Sequence, residues 1–279
     1  MFARIKSVND RSSHRARVLR LGEESGVRVD DQLAAEEPLE IRVGGNPLTV
    51  MMRTPGHERD LALGFLFGEG IIRDVADVAQ LRILPNGEHP GLENVLDVEL
   101  APGAPGVDRR WQRNFLAASS CGLCGVSSIE AIHESAPPLP DGGLTIDREV
   151  IYGLDARLRS EQAIFARTGG LHAAGLFTAT GEPVAVREDI GRHNAVDKVV
   201  GHAVERQLLP LDHHILMVSG RTSFEIVQKA LQARIPVLVA VSAPSSLARD
   251  LARASNQTLI GFLRGRSLNI YSGRQRIQA

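Results

Sequence analysis

The chain has little cysteine, few aromatic residues and almost no net charge. Only two of its 279 residues are cysteine, too few for the disulfide framework of a small secreted protein, so we expect a reducing cytoplasm. Its 32 basic residues balance 33 acidic ones, so a nucleic-acid partner held by bulk electrostatics is not expected. Any bound anion must therefore meet a local cluster of cations.

Long apolar runs are also missing. No stretch is long enough to span a bilayer, and residues 1–20 are too polar for the apolar part of a signal peptide, so we expect no membrane partner. Residues 1–30 are interpreted as a flexible basic arm, because six arginines and lysines lie among the first twenty residues. The hydrophobic fraction of 43% is nevertheless ample for a buried core.

Both cysteines lie in one stretch, CGLCG at residues 121–125. Thiols three residues apart can share one face of a helical turn, which suits a redox disulfide, half of a metal site or a persulfide-carrying nucleophile. Ser127 and Glu130 fit a capping box, and Ser120 fits the cap position equally well. Either choice places Cys121 at or just before a helix N-terminus, where a thiolate is stabilised. A zinc site would need two more ligands beside Cys121 and Cys124, and only scattered histidines are available, so no metal is expected.

The first part of the chain, residues 31–106, is predicted to form a small α+β domain. Residues 40–52 alternate apolar and polar side chains around a Gly-Gly-Asn turn, which predicts a β-hairpin. An amphipathic helix is predicted to follow and to end at Gly68, and a strand is predicted at 94–100. The glycine- and proline-rich residues 101–106 can continue neither a helix nor a strand, so we place the domain boundary there.

Residues 107–279 are predicted to form an α/β domain. A helix is expected from about residue 150 until Gly169-Gly170 closes it, and continuous apolar strands then alternate with helices. Such strands are typical of a sheet covered on both faces. The predicted strands are 172–179, 183–187, 215–218, 237–241, 259–263 and 268–271, and the predicted helices are 192–208, 222–233 and 245–254.

Polar residues collect where these strands end. Ligands of open α/β sheets bind at such strand-to-helix turns. Helix N-termini together with Arg192 and Arg221 would suit a phosphate or pyrophosphate. The three turns are residues 188–194, 219–223 and 242–246.

Several of these segments resemble the signature blocks of the FdhD family, the formate dehydrogenase accessory sulfur carriers. The resemblance runs in the family's order from about residue 36 to residue 271. It is carried by the CGLCG stretch, by REDIGRHNAVDKV at 187–199 and by SFEIVQKA at 223–230, and the segments 37–39, 64–70 and 261–264 also fit.

This resemblance implies a fold in the α/β class, a cytidine-deaminase-like three-layer domain with a smaller N-terminal α+β domain. It also implies that the domain no longer deaminates. A deaminase would need a zinc triad with a His-x-Glu or Cys-x-Glu motif and a general-base glutamate. Neither His172-Ala173-Ala174 nor His193-Asn194-Ala195 contains that glutamate.

The resemblance further implies a sulfurtransferase-type carrier. Cys121 would accept a persulfide sulfur from a cysteine desulfurase, with Cys124 as a partner thiol. The sulfur would pass to the molybdenum bis(molybdopterin guanine dinucleotide) cofactor of formate dehydrogenase, and a homodimer is the family-level expectation. On the residues alone, a CxxC dithiol oxidoreductase remains the alternative. The guanine nucleotide would be met by Phe262, Leu263, Arg264, Gly265, Arg266 and Ser267, with help from Arg192, His193, Asn194, Ser219 and Arg221.

Overall fold

The computed structural model describes residues 11–22, 25–85, 94–107, 138–140 and 143–278. Short 3-10 helices lie at Val75–Asp77 and Arg274–Arg276. The other elements are β1 (Ser13–Leu21), β2 (Gly26–Ala34), β3 (Glu37–Val43), β4 (Asn46–Arg53), α1 (Glu58–Gly68), β5 (Val78–Leu84), β6 (Val95–Leu100), β7 (Ile146–Asp147), α2 (Arg148–Ser160), α3 (Ala163–Thr168), β8 (His172–Thr178), β9 (Pro183–Asp189), α4 (Arg192–Glu205), β10 (His214–Val218), α5 (Phe224–Gln232), β11 (Val237–Ala240), α6 (Ser246–Ala254), β12 (Thr258–Arg264), β13 (Ser267–Ser272) and β14 (Ile277–Gln278).

The first two strands correct the prediction of a flexible arm at residues 13–21 and 26–30, the part of residues 1–30 that they occupy. Strands β1 and β2 pair antiparallel as a two-stranded ribbon, with Val18 opposite Val29. The alternating pattern is hard to detect because charged residues fall on both faces and apolar side chains remain in solvent. Leu19 is 59% exposed and Leu21 is 74% exposed.

The predicted hairpin at residues 40–52 is confirmed as β3 and β4. Its turn places Gly44 and Gly45 at φ values of 57° and 78°, in the left-handed region that glycine adopts without strain. Strands β5 and β6 complete a four-stranded sheet in the order β4-β3-β6-β5. Helix α1 follows β4 and ends at Gly68, as the sequence predicts.

The second sheet has six strands in the order β13-β12-β11-β10-β8-β9. Strands β10, β11 and β12 are parallel, whereas β8, β9 and β13 are antiparallel to their neighbours. Side chains alternate across this sheet: Ile215 and Met217 pack with α2 on one face, while Leu216 and Val218 pack with α4, α5 and α6 on the other. The mixed α/β class is confirmed.

The two predicted domains share one hydrophobic core. The larger core continues from the six-stranded sheet through α4 and α1 to Ile41 and Leu96 of the four-stranded sheet. Helices α1 and α4 can approach so closely because glycine lies at their crossing. A Cβ atom on Gly201 would lie 1.7 Å from the backbone oxygen of Asp60, and one on Gly64 would lie 1.8 Å from that of Asp197.

One predicted helix is divided in two. The sequence places a continuous helix between about residue 150 and Gly169, but α2 ends at Ser160 and a separate helix α3 begins at Ala163. The carboxylate of Glu188 explains the new start, because it accepts hydrogen bonds from the backbone N–H groups of Ile164 and Phe165 at 2.9 and 2.7 Å. This partner is distant in sequence, so local patterns could not reveal it.

Candidate functional site

The two cysteines lie outside the described residues. Cys121, Cys124 and the helix predicted after them fall within residues 108–137, so the sulfur-carrying role remains a prediction from sequence. The structure does describe the predicted cofactor-binding residues.

The three predicted turns lie at the same edge of the six-stranded sheet. Strands β10, β11 and β12 all end at this edge, β8 begins there, and β9 returns to it. Backbone hydrogen bonds join the turns: the N–H of Thr222 donates to the oxygen of Ala243 at 3.1 Å, and the N–H of Phe262 donates to the oxygen of Ser242 at 3.2 Å. The three turns that the sequence analysis singles out therefore lie next to one another in the fold.

The predicted nucleotide segment, residues 262–267, comprises the end of β12, the turn after it and the first residue of β13. Phe262 has a φ of 53°, a strained backbone for a bulky residue, and its ring lies under the guanidinium carbon of Arg264 at 6.0 Å. Leu263 is completely buried in the smaller core. Arg266 forms a bidentate ion pair with Glu149 of α2, at 2.5 and 2.6 Å. Gly265 and Ser267 lie at the exposed end of this hairpin.

At the start of α4, His193 is held by α5. Its Nε2 atom lies 2.9 Å from both the Ser223 hydroxyl and an oxygen of Glu225. A carboxylate beside Nε2 fixes the orientation of the ring. Glu225 is largely buried and was not among the predicted site residues, although it belongs to the SFEIVQKA motif.

An ion pair joins the same two helices one turn further along. Lys229 of α5 donates to Asp197 of α4 at 2.6 Å. Glu69, next to this pair at the end of α1, has its pKa raised to about 7, first because it is buried, with nearby Asp197 and Glu225 also raising it and Lys229 opposing. The start of α4 is therefore tied electrostatically to the N-terminal part of the protein.

Asp189 organises the turn that leads into α4. One carboxylate oxygen accepts hydrogen bonds from the backbone N–H of Gly191 at 2.8 Å and the amide of Asn194 at 2.9 Å. The other forms an ion pair with Lys198 at 2.7 Å and accepts from the backbone N–H of Thr54 at 3.2 Å. Asn194 also donates to the backbone of β4, so its amide group supports the structure.

Arg192, Ser219 and Arg221 lie around the start of β8. The Ser219 hydroxyl accepts a hydrogen bond from the Ala173 N–H at 2.9 Å. A Cβ atom on Gly220 would lie 3.2 Å from Nδ1 of His172 and 3.8 Å from Cβ of Arg192, so these two side chains flank the glycine. Burial lowers the pKa of His172, and the charges of Arg192 and Arg221 lower it further.

A cavity of about 350 Å³ opens beside this group, between β8 and the ends of α2 and α3. Of the residues that line it, only Ser219 was predicted as a site residue. The other lining residues belong to no sequence motif, because they come from a polar helix end and a glycine-rich loop. They form a cavity only because α2 and α3 pack beside β8. The lining includes Arg159, Gln162, Phe165, Leu171, His172 and Ser219.

The described ranges contain neither a cluster of metal-ligand side chains nor a membrane-spanning helix. No group of three His, Cys, Asp or Glu side chains among those residues is close enough to hold a metal ion. In the same ranges, no helix is both long and apolar enough to cross a membrane.

Comparison with solved structures supports the fold. A crystal structure from Desulfotalea psychrophila, described as a formate dehydrogenase accessory protein, matches with a TM-score of 0.78. The match covers 96% of this chain and 100% of that one, at 22% sequence identity. At this identity the likeness speaks for the fold alone.

Sequence comparison gives the family. A sulfur carrier protein FdhD from Nocardia farcinica is 50% identical over 275 residues, which is 98% of this chain and 97% of that protein. The Mycobacterium tuberculosis protein of the same name is 50% identical over 272 residues, covering 95% of this chain and 98% of its own. The model of the FdhD/NarQ family matches residues 34–278. The chain belongs to the FdhD/NarQ family.

Proposed function

We propose that this protein is a sulfur carrier in the maturation of formate dehydrogenase. Cys121 accepts a persulfide sulfur from a cysteine desulfurase, and the sulfur then passes to the molybdenum bis(molybdopterin guanine dinucleotide) cofactor. The observation that carries the proposal is the near-full-length similarity, at about half identity, to proteins named sulfur carriers.

Loading of sulfur needs a reactive thiolate. In this step the Cys121 thiolate attacks the terminal sulfur of the donor persulfide, a new S–S bond forms, and the donor cysteine leaves as a thiolate. No net oxidation occurs. The glycines that flank Cys121 in the CGLCG stretch give the backbone freedom around it, and Cys124 is available as a partner thiol.

The cofactor is a substrate of this process, and the carboxyl edge of the six-stranded sheet suits its phosphates. Arg192 has a buried Nε atom without a hydrogen-bond partner in the described part of the chain, which fits an anionic ligand. Ser219, Arg221 and His193 lie at the same edge, and the turn at residues 262–267 extends the candidate nucleotide surface along it.

The finer architecture is also part of the proposal. We assign the six-stranded sheet and its helices to the cytidine-deaminase-like layering. This assignment is supported by β8 lying antiparallel between β9 and β10, and by helices on both faces of the sheet.

Complementation tests the proposal. In cells that lack their own FdhD, the wild-type protein is expected to restore formate dehydrogenase activity, whereas Cys121→Ala is expected to leave it at the level of the deletion strain. Arg157→Met, on the exposed end of α2, serves as the matched expression control. Full activity with Cys121→Ala at wild-type protein levels would show that Cys121 carries no sulfur in this pathway.

A further inference from the structure

A cluster of polar side chains ties three elements together where α1 crosses α4. Asp60 lies in α1, Arg187 in β9 and His202 in α4. Both Nε and Nη2 of Arg187 lie 2.8 Å from the same carboxylate oxygen of Asp60. The helices touch at this point, because a Cβ atom on Gly201, the neighbour of His202, would meet the backbone oxygen of Asp60. The cluster therefore joins the N-terminal part of the protein to the six-stranded sheet.

The hydrogen bond between Arg187 and His202 fixes the state of the histidine ring. Nδ1 of His202 lies 3.0 Å from Nη2 of Arg187. A guanidinium group has five N–H donors and no acceptor, so Nδ1 must be the unprotonated nitrogen that accepts this bond. In this arrangement the ring is therefore neutral, and its proton lies on Nε2.

A proton on Nδ1 would break this arrangement. Nδ1 would then be a donor that faces another donor at 3.0 Å, and the positive charges of His202 and Arg187 would repel each other. The Asp60 oxygen, 3.8 Å from Nδ1, could accept the new N–H, but Arg187 already uses that oxygen. Protonated His202 and Arg187 would therefore compete for one carboxylate, and the contacts among α1, β9 and α4 could not all be kept.

The ring is open to solvent protons and surrounded by charge. The side chain of His202 is 19% exposed. Its pKa is lowered, first by burial and then by the charge of Arg187. The charged groups that face the ring are Asp60 on α1, Arg187 on β9, and Glu205 and Arg206 at the end of α4; the two carboxylates oppose the lowering of the pKa and Arg206 adds to it.

A second histidine meets the same carboxylate. Nδ1 of His57, just before α1, lies 3.6 Å from the Asp60 oxygen that Arg187 uses. The pKa of His57 is also lowered, first by burial and then by the charge of Arg187. When it becomes protonated, His57 adds another cation that competes with Arg187 for Asp60.

We propose that Asp60, Arg187 and His202 form an acid-sensitive lock between α1, β9 and α4, which is closed while His202 is neutral and opens when Nδ1 takes up a proton. Opening needs one proton from solvent, and no covalent bond changes. It separates the helix crossing that connects the two sheets, so the lock couples the packing of the N-terminal part to pH.

The direction of the pH effect follows from the lowered pKa values. A histidine in the unfolded chain titrates near pH ~6.5, whereas His202 and His57 in the folded protein take up protons only at a lower pH. Between these two values the unfolded chain holds more protons, so stability falls as the pH falls below about 6.5. Above this pH both states are neutral, and the lock contributes fully.

Hydrogen exchange followed by mass spectrometry on the full chain tests the lock. After correction for the intrinsic effect of pH, peptides from α1 and α4 are expected to exchange at least about threefold faster at about pH 5.5 than at about pH 7.5, while peptides from α6 keep their rates. His202→Asn is expected to remove most of this acceleration, because its amide oxygen can accept from Arg187 and does not titrate. His213→Asn changes an exposed histidine and is the matched control, expected to behave like the wild type.

NMR of the His202 ring gives a second readout, which holds even if His202→Asn is too unstable to compare. Long-range proton–nitrogen spectra of the wild type at about pH 7.5 are expected to show a neutral ring with its proton on Nε2. A proton on Nδ1 under these conditions would overturn the inference. So would exchange in α1 and α4 that does not respond to pH, or that accelerates equally in His202→Asn and the wild type.

Discussion

Replacing Gly201 with alanine is expected to destabilise the protein by more than about 3 kcal/mol or to prevent folding. The new methyl group would lie 1.7 Å from the Asp60 oxygen and close to the backbone of Gly64. Overpacking in a core usually costs about 1–3 kcal/mol, and here the obstacle is backbone, which cannot move as a flexible side chain can. Urea unfolding followed by circular dichroism measures the loss.

Gly153→Ala provides the matched control. Gly153 lies inside α2, and a Cβ atom there would meet only Nε of Arg157 at an ordinary 3.9 Å. Alanine is therefore expected to stabilise this helix by up to about 1 kcal/mol, through the loss of glycine's freedom in the unfolded chain. If Gly201→Ala unfolded at the same urea concentration as Gly153→Ala, the close crossing of α1 and α4 would be wrong.

Replacing Lys198 with methionine is expected to cost about 3–5 kcal/mol of folding free energy. Lys198 is 1% exposed and pairs with Asp189, which is completely buried, so the substitution leaves an uncompensated charge in the core. The ammonium group also donates to the backbone oxygen of Thr54 at 2.9 Å. Because Asp189 also fixes Gly191 and Asn194, the turn into α4 is expected to loosen as well.

A double-mutant cycle separates the ion pair from general damage. Asp189→Asn combined with Lys198→Met removes both charges, so the combined loss is expected to be smaller than the sum of the single losses. Arg59→Met breaks a partly exposed pair with Glu205 and is expected to cost less than about 1 kcal/mol. Additive losses in the cycle would contradict a coupled, buried pair.

The sequence predicts the elements whose cause is local. The β3–β4 hairpin follows from alternation around two glycines, and the strands of the six-stranded sheet follow from apolar runs bounded by polar turns. Gathering those turns at one edge is predictable too, because parallel strands separated by helices must end on the same side.

Features made by distant contacts were not predictable in this way. The break between α2 and α3 depends on Glu188, more than twenty residues later, and the ribbon of β1 and β2 has no clean apolar face. The shared core of the two predicted domains depends on glycines at positions 64 and 201, whose role appears only when the helices cross.

The same distinction between local patterns and distant contacts applies to the candidate site. Motifs identify His193 and Ser219, but they cannot show that Glu225 holds one ring nitrogen or that Leu263 points into the core. Arg159 and His172 belong to no binding motif, and only the packing of α2 and α3 against β8 brings them to one cavity.

The central claim is that Cys121 carries sulfur, and mass spectrometry tests it most directly. After incubation with a cysteine desulfurase and cysteine, followed by digestion without reductant, the peptide that contains Cys121 is expected to gain about 32 Da, one sulfur atom. The gain should disappear on treatment with a thiol reductant and should be absent in Cys121→Ala. A Cys121 peptide that stays at its unmodified mass while the desulfurase itself becomes loaded would contradict the account.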